Sequence, residues 1–214
     1  MSLSTLEICA FTWLSIAIAV HVVMFFVTAP FGRHSSKNWG PMVNNKLGWI
    51  IMELPSLGIM CYFLFFGSYS FHSFAPILFA CWIFHYLNRT FIYPFRIKAT
   101  EKKMPLFIVL NAILFNCVNA GLNGYFLAEL ANPAMYNPDW LTTPHFIVGA
   151  VLFTSGMAIN WRADHVLINL RKPGETGYKI PKGFLFNYIS SPNLFGEIIE
   201  WSGFAIMAWN LPAL

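Results

Sequence analysis

Six apolar stretches dominate this chain of 214 residues, at about residues 6–29, 47–66, 76–95, 105–130, 145–170 and 193 to the end. Each approaches or exceeds the 20 or so apolar residues that cross a bilayer as a helix. Hydrocarbon offers no partner to a backbone N–H or C=O. A spanning segment must therefore satisfy its own, and α-helices do so within one stretch. Charged residues make up 10% of the chain, against about 25% in soluble domains. The expected fold is all-α, a polytopic transmembrane helical bundle with six visible spans, forming a single domain over residues 1–214.

Lysine and arginine alternate by loop. The first loop carries Arg33, His34, Lys37 and Lys46, the third Arg96, Lys98, Lys102 and Lys103, and the fifth Arg171, Lys172, Lys179 and Lys182. Loops two and four have none. The positive-inside rule puts the basic loops in the cytoplasm and the N-terminus outside. The first apolar segment lacks the basic lead of a cleavable signal peptide. The net charge of +4 is small and confined to short loops, which argues against a nucleic-acid partner. Cys9, Cys61, Cys81 and Cys117 lie in apolar runs and read as buried thiols. No histidine pair has metal-ligand spacing, so no metal site is expected. Neither a Gly-rich dinucleotide fingerprint nor a P-loop is present.

Ionisable residues inside spans are costly and mark sites by default. Glu53 lies in GWIIMELPSLG, one turn after Trp49 and two residues before Pro55, which should kink or break that helix. Its carboxylate is either functional or paired with a partner such as Arg89. In CWIFHYLNRTFIYPF, residues Trp82, Tyr86, Arg89 and Tyr93 share one helical face. That run is too polar for lipid, so Tyr86 is expected to face a cavity. The fourth segment holds Asn111, Asn116, Asn119 and Asn123. Their amides can bridge helices. Alternatively, Asn119 and Asn123, beside Gly121 and Gly124, can admit a ligand to close approach.

The densest polar stretch runs from residue 160 to 201. Asn160, Asp164, Leu167 and Arg171 follow at spacings of four, three and four, which puts amide, carboxylate and guanidinium on one helical face. Pro173 and Gly174 are expected to stop that helix. Glu175, Tyr178, Lys179 and Lys182 make a polar loop, and Asn193, Glu197, Glu200 and Trp201 share a face of the next helix. Such a patch at the bilayer surface suits a large anionic cofactor.

At these residues the chain resembles the steroid 5α-reductase family, the 3-oxo-5α-steroid 4-dehydrogenases, from residue 32 onward. The likeness is carried by MELPS (52–56), HYLNRTFIYPF (85–95), GMAIN (156–160), LRKPGETGYKIPKGFLFNYIS (170–190) and NLFGEIIEWSGFA (193–205). It implies an NADPH-dependent reductase acting on a 3-oxo-Δ4 steroid, with Glu53 and Tyr86 holding the C3 carbonyl. By position it carries cofactor contacts to Asn160, Asp164, Leu167, Arg171, Tyr178, Lys179, Asn193 and Glu197, and to Arg33 and His34. Lys98 and Asn119 are grouped with them. Trp49 and Phe115 resemble walls of the steroid pocket, and Arg89 is grouped with the substrate-holding residues. The loop RIKATEKK departs from the family's glycine-containing equivalent. The sequence also stops before the family's last, seventh helix and its His/Arg/Tyr-bearing tail.

The expected reaction is reduction of the Δ4 double bond to a 5α-3-oxosteroid, with hydride to C5. Charge then develops on the distant carbonyl oxygen, where a phenol and a carboxylic acid act as an oxyanion hole. A substrate dissolved in lipid would enter from the bilayer, bacterial inner membrane or endoplasmic reticulum, and the protein is expected to be a monomer. Two other readings stay open: a reductase of another conjugated lipid, such as an enoyl thioester or polyprenal, and a non-catalytic sterol-binding membrane protein.

Overall fold

A computed structural model describes residues 1–30, 34–68, 73–98, 102–171, 175 and 179–214. Arg33, His72, Lys172, Pro173, Gly174 and Tyr178 lie outside the described residues. The chain is mostly helical and divides into two compact units, residues 1–137 with Leu214, and residues 138–213. Among the described residues, four helices are long and apolar enough to cross a membrane: Leu3–Met24, Asn45–Phe66, Leu106–Leu130 and Pro144–Ile168.

In the first unit, α1 (Leu3–Met24) starts at Ser2, whose side chain accepts from the Thr5 N–H. It is apolar on every side, and only Leu6 and Ala10 are buried. A helix apolar all round with an exposed surface suits a lipid environment. Helix α2 (Asn45–Phe66) is capped by Asn44, whose side chain accepts from the N–H groups of Lys46 and Leu47. Pro55 does not break it. α2 continues to Phe66, because neighbouring groups can satisfy the carbonyls that a proline frees.

Helix α3 (Pro76–Leu87) runs into a five-residue π turn, Asn88–Ile92, and then α4 (Tyr93–Arg96). α5 (Leu106–Tyr125) likewise ends in a π turn, Phe126–Leu130. A π turn winds less per residue than an α-helix, so Tyr93 no longer holds strict α spacing to Tyr86. Loops one and three are more than the plain connections that the sequence suggests. In them β1 (Met42–Asn44) pairs antiparallel with β2 (Lys103–Pro105), with Val43 opposite Met104. This ribbon joins the starts of α2 and α5. Below it Trp49, Met52, Met104 and Val109 form a buried cluster.

The second unit is built on α6 (Pro144–Ile168) and α7 (Pro192–Ala208). Thr143 caps α6 and Pro144 opens it, where a missing N–H costs nothing. The two helices pack backbone to backbone over glycines. A Cβ added at Gly149 would meet the Met207 N at 2.6 Å and the Gly203 O at 2.7 Å. One added at Gly196 would meet the Asn160 N at 2.5 Å and the Gly156 O at 2.7 Å. Small residues at such positions let membrane helices approach closely.

Three expectations from the sequence do not hold. α6 ends at Ile168 and not at Pro173, because Asn169 leaves helical geometry and its side chain donates back to the His165 carbonyl at 2.9 Å. Arg171 therefore lies beyond the helix that carries Asn160 and Asp164. The last helix stops at Ala208, where Trp209 turns left-handed at φ 50°. The four cysteines are not buried: Cys9 and Cys117 are exposed, and Cys61 and Cys81 are partly so.

Candidate functional site

The polar centre of the first unit is an amide that its sequence context does not single out. Asn116, buried on α5, donates to the Met52 carbonyl at 2.6 Å and to Glu53 Oε2 at 3.1 Å. Its oxygen accepts from the Tyr86 hydroxyl at 3.0 Å. One side chain thus joins the acid of α2 to the phenol of α3. Pro55 has no N–H for the carbonyl four residues back, that of Ile51, and its ring crowds that turn. Met52, in the same turn, accepts from an amide on another helix.

Tyr86 is fixed by its neighbours. Its ring stacks on Trp82, with centroids 5.7 Å apart and planes 18° apart. The Trp82 indole N–H in turn donates to Ser56 Oγ at 3.0 Å. Tyr86 and Trp82 are both buried, and Glu53 is half-buried. Arg89, only 7% exposed, places its guanidinium 4.4 Å from the Trp49 ring centre and 4.9 Å from that of Tyr93. Two aromatic faces stabilise a desolvated cation there. Glu53, Tyr86, Arg89 and Trp49 therefore fall within one packed region of α2, α3 and the following π turn.

Phe115 does not join them. It is 46% exposed, and its ring lies 5.8 Å from Trp13 of α1. Asn119 is half-buried, and its backbone carbonyl accepts from the Asn123 amide at 3.0 Å. His34 and Lys98 are exposed. Asn111 bonds back to the Phe107 carbonyl of its own helix. Asn116 makes a cross-helix bridge of the kind that the composition of the segment suggests.

In the second unit Asn160 is 1% exposed and Asp164, one turn on, 2%. The Asn160 amide donates to the Asn193 carbonyl and to Glu197 Oε1, each at 3.1 Å. Gly156 and Gly196 allow this, since their missing side chains bring α6 and α7 within amide reach. Asn160, Asn193 and Glu197 are thus brought together, and Asp164 lies buried one turn further along α6. Leu167 lies at 36% exposure near the end of α6 and Arg171 is half-buried beyond it. Lys179 pairs with Glu175 in the following loop. Glu200, which the spacing puts on one face with Asn193 and Glu197, is wholly buried on α7. Arg33 and Tyr178 lie outside the described residues.

Apolar helices that enclose hydrogen-bonded amides, acids and a phenol define a membrane protein with polar sites inside its bundle. A family profile for 3-oxo-5-alpha-steroid 4-dehydrogenase matches residues 102–214. The chain is 38% identical over 216 residues to the 3-oxo-5-alpha-steroid 4-dehydrogenase 1 of Bos taurus, covering 96% of this chain and 80% of that protein. It is 42% identical over 183 residues to the enzyme of the same name from Homo sapiens, covering 85% and 69%. A steroid 5-alpha-reductase of Gossypium hirsutum is 36% identical over 205 residues, covering 94% and 79%. The chain belongs to the 3-oxo-5-alpha-steroid 4-dehydrogenase family, and is an oxidoreductase.

Proposed function

We propose that the protein reduces the Δ4 double bond of 3-oxo-Δ4 steroids to give 5α-3-oxosteroids, with NADPH as reductant. The observation that carries this is the linked trio of Glu53, Asn116 and Tyr86 in a chain related to named steroid reductases. An enone needs charge stabilisation at its carbonyl oxygen when its β-carbon is reduced. Glu53 as acid and Tyr86 as phenol are the pair that would meet the C3 oxygen, and hydrogen-bond donors aimed at a developing oxyanion supply a large part of such catalysis. Trp49, Trp82 and the Arg89 stack give them a stiff, largely apolar surround that suits a flat steroid and limits water.

NADPH, when bound, supplies the hydride that C5 receives. The residues of the second unit fit that group chemically. Asp164 and Glu197 offer acceptors to ribose hydroxyls, Asn160 and Asn193 offer amides, and Arg171, Lys179 and Lys182 offer cations to phosphates. Lys179 would exchange its Glu175 partner for a phosphate. Arg33, His34, Lys98, Asn119, Leu167 and Tyr178 belong to the same proposed set. Six spans, cytoplasmic basic loops and a monomeric state complete the reading, in which steroid enters from lipid.

The test is incubation of the purified protein, in micelles or proteoliposomes, with NADPH and testosterone or progesterone, followed by product mass analysis. The expected product is two hydrogens heavier and carries the 5α configuration. NADPH consumed with an enoyl thioester or a polyprenal but with neither steroid would remove the steroid assignment. Arg171→Ala should raise the apparent KM for NADPH about tenfold, the cost of one charge-assisted contact, with the steroid KM little changed. An unchanged NADPH KM would take Arg171 out of the cofactor site.

A further inference from the structure

We infer that Asn116 is a positioning residue for the Glu53–Tyr86 pair, holding the phenol proton until charge develops on the substrate oxygen. This rests on the proposal that the pair grips the steroid carbonyl.

The orientation of the Asn116 amide follows from chemistry. The Met52 carbonyl has lone pairs and no proton, so the amide atom 2.6 Å from it is the nitrogen. The second amide proton points to Glu53 Oε2 at 3.1 Å. The amide oxygen then faces Tyr86, and the group that fills that contact of 3.0 Å with a proton is the phenol. A backbone carbonyl in the Pro55 turn thus locks the amide, and the locked amide fixes where the one phenol proton rests. The same planar group seats the phenol oxygen and a carboxyl oxygen next to each other, because the oxygen and nitrogen of an amide share one carbon.

A steroid ketone arriving at Tyr86 meets a proton already engaged by an amide oxygen. A ketone is no better an acceptor than an amide, so in the ground state the proton gains little by leaving Asn116. As the enolate forms, the oxygen gains negative charge and becomes the stronger acceptor. A rotation about the phenol C–O bond then carries the proton to it, one hydrogen bond replacing another with no bond to carbon altered. The contact is stronger in the transition state than with bound substrate, which is the condition for raising turnover and not merely affinity.

Asn116→Leu keeps the branched shape and removes all three amide contacts, and Asn116→Gln keeps an amide on a longer arm. The expected result for Asn116→Leu is a kcat lowered 10- to 100-fold, with a steroid KM unchanged or lower and the NADPH KM unchanged. Asn116→Gln should recover part of the loss. The deciding measurement is a double-mutant cycle with Tyr86→Phe. If Asn116 acts through the phenol, Asn116→Leu should slow the Tyr86→Phe enzyme by less than threefold. Fully multiplicative losses, or a kcat for Asn116→Leu within twofold of the unmutated protein, would overturn the inference while leaving Glu53 and Tyr86 in their roles. Unchanged turnover in both Glu53→Gln and Tyr86→Phe would instead overturn the underlying reading, and this inference with it. Thermal midpoints of the variants in the same micelles show whether a loss is one of fold: a kcat that falls only in step with a lost folded fraction counts against the positioning role.

Discussion

Tyr86→Phe and Glu53→Gln should each lower kcat about 100- to 1,000-fold while the protein still folds. Removing one preorganised donor from an oxyanion site costs about 2.7–4 kcal/mol of transition-state stabilisation, which is the size expected for Tyr86→Phe; Glu53→Gln trades the acid O–H for a far less acidic amide N–H and is expected at the lower end. The cost to folding is smaller. Tyr86→Phe keeps the ring stacked on Trp82 and loses one hydrogen bond, to Asn116, worth about 1 kcal/mol. Glu53→Gln keeps an acceptor oxygen for the Asn116 amide. Steady-state rates with a 3-oxo-Δ4 steroid, measured beside thermal midpoints, separate the two effects. Turnover within threefold of the unmutated enzyme in both variants would remove the pair from the chemistry. A matching fall in rate and midpoint would show the residues to be structural.

The second large effect is expected from Gly156→Leu, which should prevent α6 and α7 from packing. Next to Gly156 lie the Gly196 carbonyl, at 2.5 Å from a built Cβ, and the Glu200 Cα, at 2.7 Å. These are backbone atoms on a facing helix, so relief requires the whole of α7 to move. Overpacking a core commonly costs about 1–3 kcal/mol, and a shift of one helix against another puts this site at the top of that range or above it. About 3 kcal/mol corresponds to roughly 6–12 °C in melting temperature for a chain of this size. The same shift separates Asn160 from Glu197 and from the Asn193 carbonyl. A fluorescence-detected melt in micelles and NADPH binding should therefore fail together. Gly58→Leu is the control: it lies on α2 with nothing within 4 Å of its built Cβ, and its melt should be nearly unchanged. If Gly156→Leu melts like the unmutated protein, the close approach of α6 and α7 is not what holds the second unit.

Both expectations draw on residues that are legible in the amino-acid order alone. Glu53 and Tyr86 stand out because charge and phenol are expensive inside apolar runs. Asn160, Asp164 and Glu197 stand out through helical spacing, and the glycines of α6 and α7 bring Asn160 to Glu197. Asn116 is harder to see. It is one of four asparagines in one helix, and Asn119 and Asn123, beside their glycines, are the more conspicuous pair. Its partners, Met52, Glu53 and Tyr86, are 64, 63 and 30 residues away. No local period carries such a distance.

The amino-acid order by itself determined the apolar helices, their approximate limits and the family, because backbone satisfaction in lipid and side-chain period are local matters. It did not determine which side of each helix faces inward. In a helix apolar all round, hydropathy does not separate a core face from a lipid face, which is why Cys9, Cys117 and Phe115 lie outward against expectation. The strand ribbon between β1 and β2, the continuity of α2 through Pro55 and the early end of α6 were likewise decided by tertiary contacts or capping geometry. Only packing could settle which amide meets which acid, since a hydrogen bond across helices depends on their rotation and rise, and every residue of the fold helps to set those.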